Sequence, residues 1–498
     1  MTWLVPLPIV LPLVGAALSI LAGRSRVAQR AIGILVLGAL VAASITLLME
    51  VDRNGTVVAH AGGWPGPMGI TLVADRFAAV LLVVAELTLF VVLVYAIGEP
   101  GAERGHVGFQ SAYLVLAAGV AGSFLTGDLF NLFVSFEMML TASYVLLTLG
   151  GRAEQVRSGM TYIVISLIAS SLFVTALALL YSATGTVNMA HLAVRLGDLP
   201  AGVQTSFAVL LIVVFGIKAA VFPLFFWLPD SYPTAPSPIT AIFAGLLTKV
   251  GVYAIVRTQL LLFSEDSRPA TLLLAVAAAT MVVGVLGAIA QDDIRRILSF
   301  TIVSQIGYMV MGLGFFTIAG VAAVVFSMVH HIIVKTALFL VSGLVDHSSG
   351  SSRLSQIGGL VRTQPFLAVL FLLSALSLAG VPPFSGFVSK FALIGAGIAG
   401  RHYSVVAVSL VVSLLTLFSM IRIWTGAFWS PAEEESAPRR STATRPGGGP
   451  ALMVAPTAVL VACSIAVAIA AGPLYRLSER TARGLLEPQQ YVEEVLGR

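Results

Sequence analysis

The feature that most constrains this chain is the length of its apolar runs, about fourteen stretches of roughly twenty residues separated by short polar loops. Twenty helical residues reach about 30 Å, the thickness of a bilayer's hydrocarbon. In lipid only a helix or a closed barrel satisfies every backbone N–H and C=O. The runs are continuous instead of alternating with a period of two, which excludes the barrel. Of 498 residues 58% are hydrophobic and 10% charged, against about 25% charged in a soluble domain, so a water-soluble globule is excluded as well. The fold class expected is an all-α polytopic membrane protein of about fourteen transmembrane helices. The spans read from the sequence are 3–22, 31–50, 75–97, 107–125, 129–149, 157–182, 205–229, 237–262, 270–290, 296–318, 320–344, 364–399, 403–429 and 451–471. Trp3 to Gly23 has no basic lead or small-residue cleavage site, so it reads as a retained first helix.

The single cysteine, Cys463, falls in the last apolar run. It excludes a disulfide frame, a thiolate metal site and an iron–sulfur cluster of the chain's own, so any redox chemistry must belong to a partner. No cofactor and no metal are expected. The net charge of +5 is a surplus of Arg between the apolar segments, a topology signal and not a nucleic-acid signal. Loops after odd-numbered spans hold thirteen Arg (Arg24, Arg26, Arg30, Arg104, Arg152, Arg157, Arg295, Arg296, Arg353, Arg362, Arg439, Arg440, Arg445). Loops after even-numbered spans hold five (Arg53, Arg76, Arg195, Arg268, Arg401). By the positive-inside rule both termini face outward. Residues 1–472 read as a single transmembrane domain. Within it, Pro431 to Pro450 is too rich in Pro, Gly and charge to bury a core, so about 430–450 is expected as a flexible cytoplasmic linker. Residues 473–498 mix Arg and Glu with Leu and Val and are expected as a short amphipathic helix at the outer surface.

The loops use Arg, and the four lysines, Lys218, Lys249, Lys335 and Lys390, all fall inside apolar spans. Arg stays charged at any reachable pH, whereas a lysine held away from water can release its proton. The four are therefore candidate titrating groups; the alternative is a structural lysine tied to a carboxylate or snorkelling to the interface. Glu137 lies near the middle of DLFNLFVSFEMMLTASYVLL and needs a cation, for which Lys218 is the candidate. Glu86 is also mid-span, with no partner evident in the sequence, and is a candidate relay residue or a structural carboxylate. In FSMVHHIIVKTALFL, His331 and Lys335 are four apart and share a helix face, while His330 points about a third of a turn away. His331 suits a relay between lysines; His330 fits that role or that of a hydrogen-bonded core residue. No cluster has metal-ligand spacing, and no nucleophile triad or phosphate loop is present.

Two spans contain prolines beside a lysine. The seventh reads FGIKAAVFPLFFWLPD with Pro223 inside, and the twelfth LAGVPPFSGFVSKFALI with Pro382 and Pro383. Proline removes a backbone donor, so both helices are expected to break, and the freed carbonyls must face protein or a water-filled cavity. Broken helices at corresponding places of two halves mark an inverted-repeat transporter; a kink made only for packing is the alternative.

KAAVFPLFFWLPDSYPTAPSPITAIFAGLLTKVGVYAIVR (Lys218 to Arg257), GDLFNLFVSFEMML, HHIIVKTALFL and GVPPFSGFVSK together resemble the proton-translocating antiporter-like subunits shared by complex I and the multisubunit Mrp-type Na⁺/H⁺ antiporters. TGTVNMAHLA, DLFNLFVSFEMML and LLTKVGVYAIVR are similar to the D-type subunits of Mrp antiporters. Phe225 stands where complex I relatives often have His, and Lys390 where one complex I subunit has Glu. The largest members carry helices beyond the fourteenth span, near which this chain ends. The resemblance implies two inverted five-helix repeats, about 107–262 and 270–429. It implies a relay in which Glu137 pairs with Lys218, Lys249 bridges toward the centre, His331 and Lys335 continue it and Lys390 ends it. It implies a multi-pass transporter subunit of a bacterial cell membrane, not an enzyme. Its partners would be a large antiporter-like subunit and several small membrane subunits, with H⁺ exchanged for Na⁺. The rival it leaves open is a proton-pumping membrane subunit of an NADH:quinone oxidoreductase or membrane-bound hydrogenase.

Overall fold

Eleven helices among the described residues are long and apolar enough to cross a bilayer, and four shorter apolar helices accompany them. The computed structural model describes residues 2–99, 101, 103, 108–431 and 451–497. The linker expected over about 430–450 therefore lies, beyond its first two residues, outside the described residues, as do Arg104, Arg439, Arg440 and Arg445. In chain order the helices begin with α1 (Leu7–Leu21) and α2 (Arg26–Asn54). A ribbon of two antiparallel strands, β1 (Val57–His60) and β2 (Thr71–Ala74), then interrupts the expected all-α pattern. Its segments, VVAH and TLVA, are β-branched and short, suited to a loop hairpin and too short to span.

Next come α3 (Arg76–Gly98), α4 (Phe109–Leu125), α5 (Leu129–Thr148), α6 (Ala153–Thr184) and the short α7 (Met189–Gly197). The seventh expected span is α8 (Ala201–Ala219), a turn, and α9 (Trp227–Ser231). After it run α10 (Ser237–Leu261), α11 (Ala270–Ile289), α12 (Ile294–Gly314) and α13 (Ile318–Ser349). The twelfth expected span is two helices, α14 (Pro365–Ala379) and α15 (Ser385–Ala399), followed by α16 (Tyr403–Trp429) and α17 (Ala451–Ile469). The C-terminal segment, expected as one helix, is two: α18 (Ala471–Leu486) and α19 (Gln489–Leu496), with Pro488 at the junction.

Polar residues placed just before the apolar runs start the helices by accepting their free N–H groups. Asp128 accepts from Asn131 N at the start of α5, and Asp293 from Arg296 N at the start of α12. Each of the two also forms an isolated antiparallel bridge, Asp128 with Asn188 and Asp293 with Arg353, at the same sequence separation. The core is central and narrow: the apolar windows of α10 and α13 are buried entirely within the protein, whereas those of α2, α6, α11, α16 and α17 are mostly left to face lipid. On one rim α18 packs against α13, Tyr475 lying 6.2 Å from Phe326. There Asp75, the cap of α3, meets Arg257 of α10 in a bidentate ion pair at 2.6 and 2.7 Å, and Tyr491 of α19 covers the guanidinium at 5.4 Å.

Candidate functional site

Both interrupted spans end their first half on a left-handed residue. Ala220 has φ +60° after α8, and Gly380 φ +86° after α14; Pro223 and the Pro382–Pro383 pair occupy the turns that follow. Each break releases carbonyls that side chains recapture. Trp227 Nε1 donates to Ile217 O at 3.0 Å, and Lys390 Nζ donates to Ala379 O at 2.8 Å. Lys218 thus sits in the last turn before one break, and Lys390 on the half-helix after the other. Gly251 permits the first arrangement, because a Cβ there would stand 2.6 Å from Ala219 N. That close approach seats the end of α8, with Lys218, against α10, two residues from Lys249.

The remaining charges follow the buried helices. Lys249 (1% exposed) donates to Ala244 O at 2.6 Å, inside a wide helical turn at Phe243–Leu247. Such a π-turn displaces the backbone ladder and leaves a carbonyl open to a side chain. Lys335 (0% exposed) donates to Thr301 Oγ1 of α12 at 2.5 Å. Lys390 makes a second bond to Ser413 Oγ of α16 at 2.9 Å and lies 5.4 Å from the centre of the Tyr308 ring. His330 Nδ1 pairs with Ser385 Oγ at 2.8 Å, while its ring meets that of His331 edge-on at 4.6 Å. His330 Nε2 and His331 Nδ1 are buried without a hydrogen-bond partner among the described residues.

All six ion pairs among the described residues use arginine. Lys218 and Glu137 are half-buried and not within ion-pair distance; Glu137 Oε1 instead accepts from Ser170 Oγ of α6. Glu86, fully buried on α3, has no hydrogen-bond partner on either oxygen among the described residues.

The structure adds neutral residues that reading for charge alone passes over: Ser170, Thr301, Ser385, Ser413 and Tyr308. A signal for some of them exists. Thr301, Gln305 and Tyr308 recur at i, i+4 and i+7, a polar stripe along one face of α12. Among the described residues both amide atoms of Gln305 are unpartnered, as are the hydroxyls of Ser304 and Thr248. Buried polar atoms are normally paired, so such a row marks a polar seam through the bundle.

The sequence model of the family described as NADH:quinone oxidoreductase/Mrp antiporter, TM, matches residues 126–416, which take in Glu137 and all four lysines. The chain belongs to this family. It is 46% identical over 496 residues to the D-type subunit of the Na(+)/H(+) antiporter of Alkalihalophilus pseudofirmus, covering 99% of each sequence. A chain of the Mrp complex from Dietzia sp. DQ12-45-1b superposes with a TM-score of 0.91 at 35% identity, each chain covered in full. A chain of the membrane-bound sulfane sulfur reductase, an archaeal respiratory membrane complex, does so with a TM-score of 0.89 at 29% identity, again in full. This family member is thus a multi-pass membrane protein, and its helical fold is that of the Mrp and respiratory membrane subunits.

Proposed function

We propose that the chain is the proton-translocating subunit of a multisubunit Na⁺/H⁺ antiporter, passing H⁺ through Glu137, Lys218, Lys249, His331, Lys335 and Lys390 in exchange for Na⁺ efflux. One observation carries the relay: Lys249, Lys335 and Lys390 are buried against a carbonyl, a hydroxyl, or both, with no carboxylate in ion-pair reach among the described residues. A structural lysine at membrane depth would be locked to an acid, because an unpaired charge there costs about 3 kcal/mol or more. A neutral cradle accepts the amine and the ammonium alike, which a group that gains and loses a proton requires. The unpartnered seam atoms between the lysines are positions that internal water would bridge.

The names of the relatives favour this reading, in which the chain is a transporter subunit and not an enzyme. Its partners are a second large antiporter-like chain and several small membrane subunits. The matching caps and bridges at Asp128 and Asp293 support two repeats, about 107–262 and 270–429. The Arg distribution supports outward-facing termini in a bacterial cell membrane. His330, hydrogen-bonded to Ser385, is an auxiliary member of the seam, and Glu86, buried with no hydrogen-bond partner among the described residues, is a further candidate relay member.

In everted vesicles, Lys218→Ala and Glu137→Ala should each abolish exchange while the complex still assembles; wild-type exchange in either overturns the relay. The likeness to the sulfane sulfur reductase chain favours a second reading, a proton pump driven by a redox complex. Mass spectrometry of the subunits that copurify in mild detergent separates the two. Small cofactor-free membrane proteins support the antiporter, and flavin or iron–sulfur subunits support the pump.

A further inference from the structure

Just past the end of α3, the carboxylate of Glu99 lines a polar crevice of about 240 Å³ together with Arg152, Gln155, Ser237, Arg295 and Asp346. All of these lie on the Arg-rich rim, where spans that follow one another in the chain end or begin. Arg295 organises the crevice: it donates to Asp346 Oδ2 at 2.8 Å and to Ser237 Oγ at 2.9 Å, tying together the ends of α12, α13 and α10. Arg295 and Asp346 are satisfied by each other, but Glu99 Oε2 is sealed from solvent with no hydrogen-bond partner among the described residues. A carboxylate oxygen left so is costly unless it holds a proton or meets water, although Ser237 serves the group by a hydrogen bond.

The crevice has a polar continuation. On α13, Asp346, Ser342, Lys335 and His331 are spaced four, seven and four residues apart and share one face. Ser342 Oγ is buried with no partner among the described residues. The turn of α3 before Glu99 lies against the same stretch, where Tyr95 donates to Leu340 O at 3.2 Å. From Asp346 to Lys335 the rise along the helix is about 16 Å, a distance that a few water molecules and Ser342 would bridge.

We propose that this crevice is the cytoplasmic mouth of the relay, with Glu99 the group that takes the proton Lys335 sends past Ser342 and passes it to bulk water. The inference rests on the antiporter reading above. In the step, an N–H bond of the Lys335 ammonium breaks, water carries the proton, and an O–H bond forms on the Glu99 carboxylate, which breaks in turn as the proton leaves for bulk water; H⁺ thus enters the cell as Na⁺ leaves it. The Glu99 carboxylate is stabilised by a hydrogen bond with Ser237 and by Arg295 and Arg152, and opposed by Asp346. Burial, the larger effect, raises the Glu99 carboxyl to about 7, so it is protonated in acid and charged in mild alkali, and it exchanges its proton where a cytoplasm works.

The test is Na⁺/H⁺ exchange by the assembled complex in vesicles, with pH varied on the side the crevice faces. In the wild type the rate should show an inflection near pH 7. Glu99→Gln should lower exchange about a hundredfold, the low end of what a positioned proton-transfer group contributes, and should erase the inflection; Glu99→Asp should retain it. Glu99→Gln with wild-type rate and profile overturns the proposal, and so does a lower rate whose profile keeps its shape, because that marks a structural role. If Glu99→Gln does not assemble, Ser342→Ala decides: unimpaired exchange overturns the path. Lys218→Ala run in parallel separates the two readings. An inactive Lys218→Ala beside an unaffected Glu99→Gln removes only the mouth, whereas full activity in both removes the relay itself.

Discussion

The Arg257–Asp75 pair offers a quantitative test of how the rim is held. Arg257 is 3% exposed and donates two bonds to Asp75, at 2.6 and 2.7 Å, and two to Tyr253 Oη, at 3.2 and 3.1 Å. Removing one member of a buried ion pair costs about 3–5 kcal/mol, because the other charge is stranded. The Asp75 side chain keeps 16% of its surface in solvent. Arg257→Met should therefore cost about 3 kcal/mol, the lower end of that range. In Asp75→Asn the helix cap survives, since Asn caps as well as Asp, but the Arg257 charge is stranded, at a similar cost. The double variant strands no charge and should lie within about 1 kcal/mol of wild type. Hydrogen exchange reads these values locally. A loss of 3 kcal/mol is roughly a 150-fold faster exchange, expected in the first turns of α3 and in α19, whose Tyr491 stacks on Arg257. Unchanged protection in Arg257→Met would refute the reasoning, and so would a double variant as labile as the sum of the two singles.

Other perturbations bear on the seam. Thr301→Val removes the hydroxyl that accepts from Lys335 and should reduce exchange at least tenfold, since a hydrogen bond to a charged group is worth about 1.5–3 kcal/mol, while Thr301→Ser should restore it; vesicle assays of both decide. Gly380→Ala places a side chain at φ +86° with its Cβ 2.7 Å from Lys390 Cδ, a strain of about 1–2 kcal/mol before the clash is counted, and should lower both exchange and the thermal midpoint of the complex. Gly251→Leu should separate α8 from α10 and prevent assembly, seen as loss of the intact complex on size exclusion, because backbone and not a flexible side chain fills the space. Ser170→Ala should impair exchange, since the hydroxyl is the hydrogen-bond donor found on Glu137; unaltered rates would show that Glu137 needs no such anchor.

The membrane class was legible because hydrocarbon imposes a long, uninterrupted apolar run on every helix that crosses it, and no other fold tolerates that pattern. The helix breaks were legible for a related reason: prolines in FGIKAAVFPLFFWLPD and LAGVPPFSGFVSKFALI cannot continue a backbone ladder. The candidate relay lysines and Glu137 were visible because charge is rare and expensive at such depth. What the sequence determined, then, are the features whose cost is paid locally, residue by residue. Which groups meet is another matter. That Glu137 is held by Ser170 instead of directly by Lys218, that a wide turn presents Ala244 O to Lys249, and that Arg295 gathers three helix ends around Glu99 were decided by packing. Serine, threonine and tyrosine are common in membrane helices at little cost, so nothing in composition singles out the few that touch a lysine. Only the crossing of one helix against another, set by close approaches such as Gly251 on Ala219, chooses them.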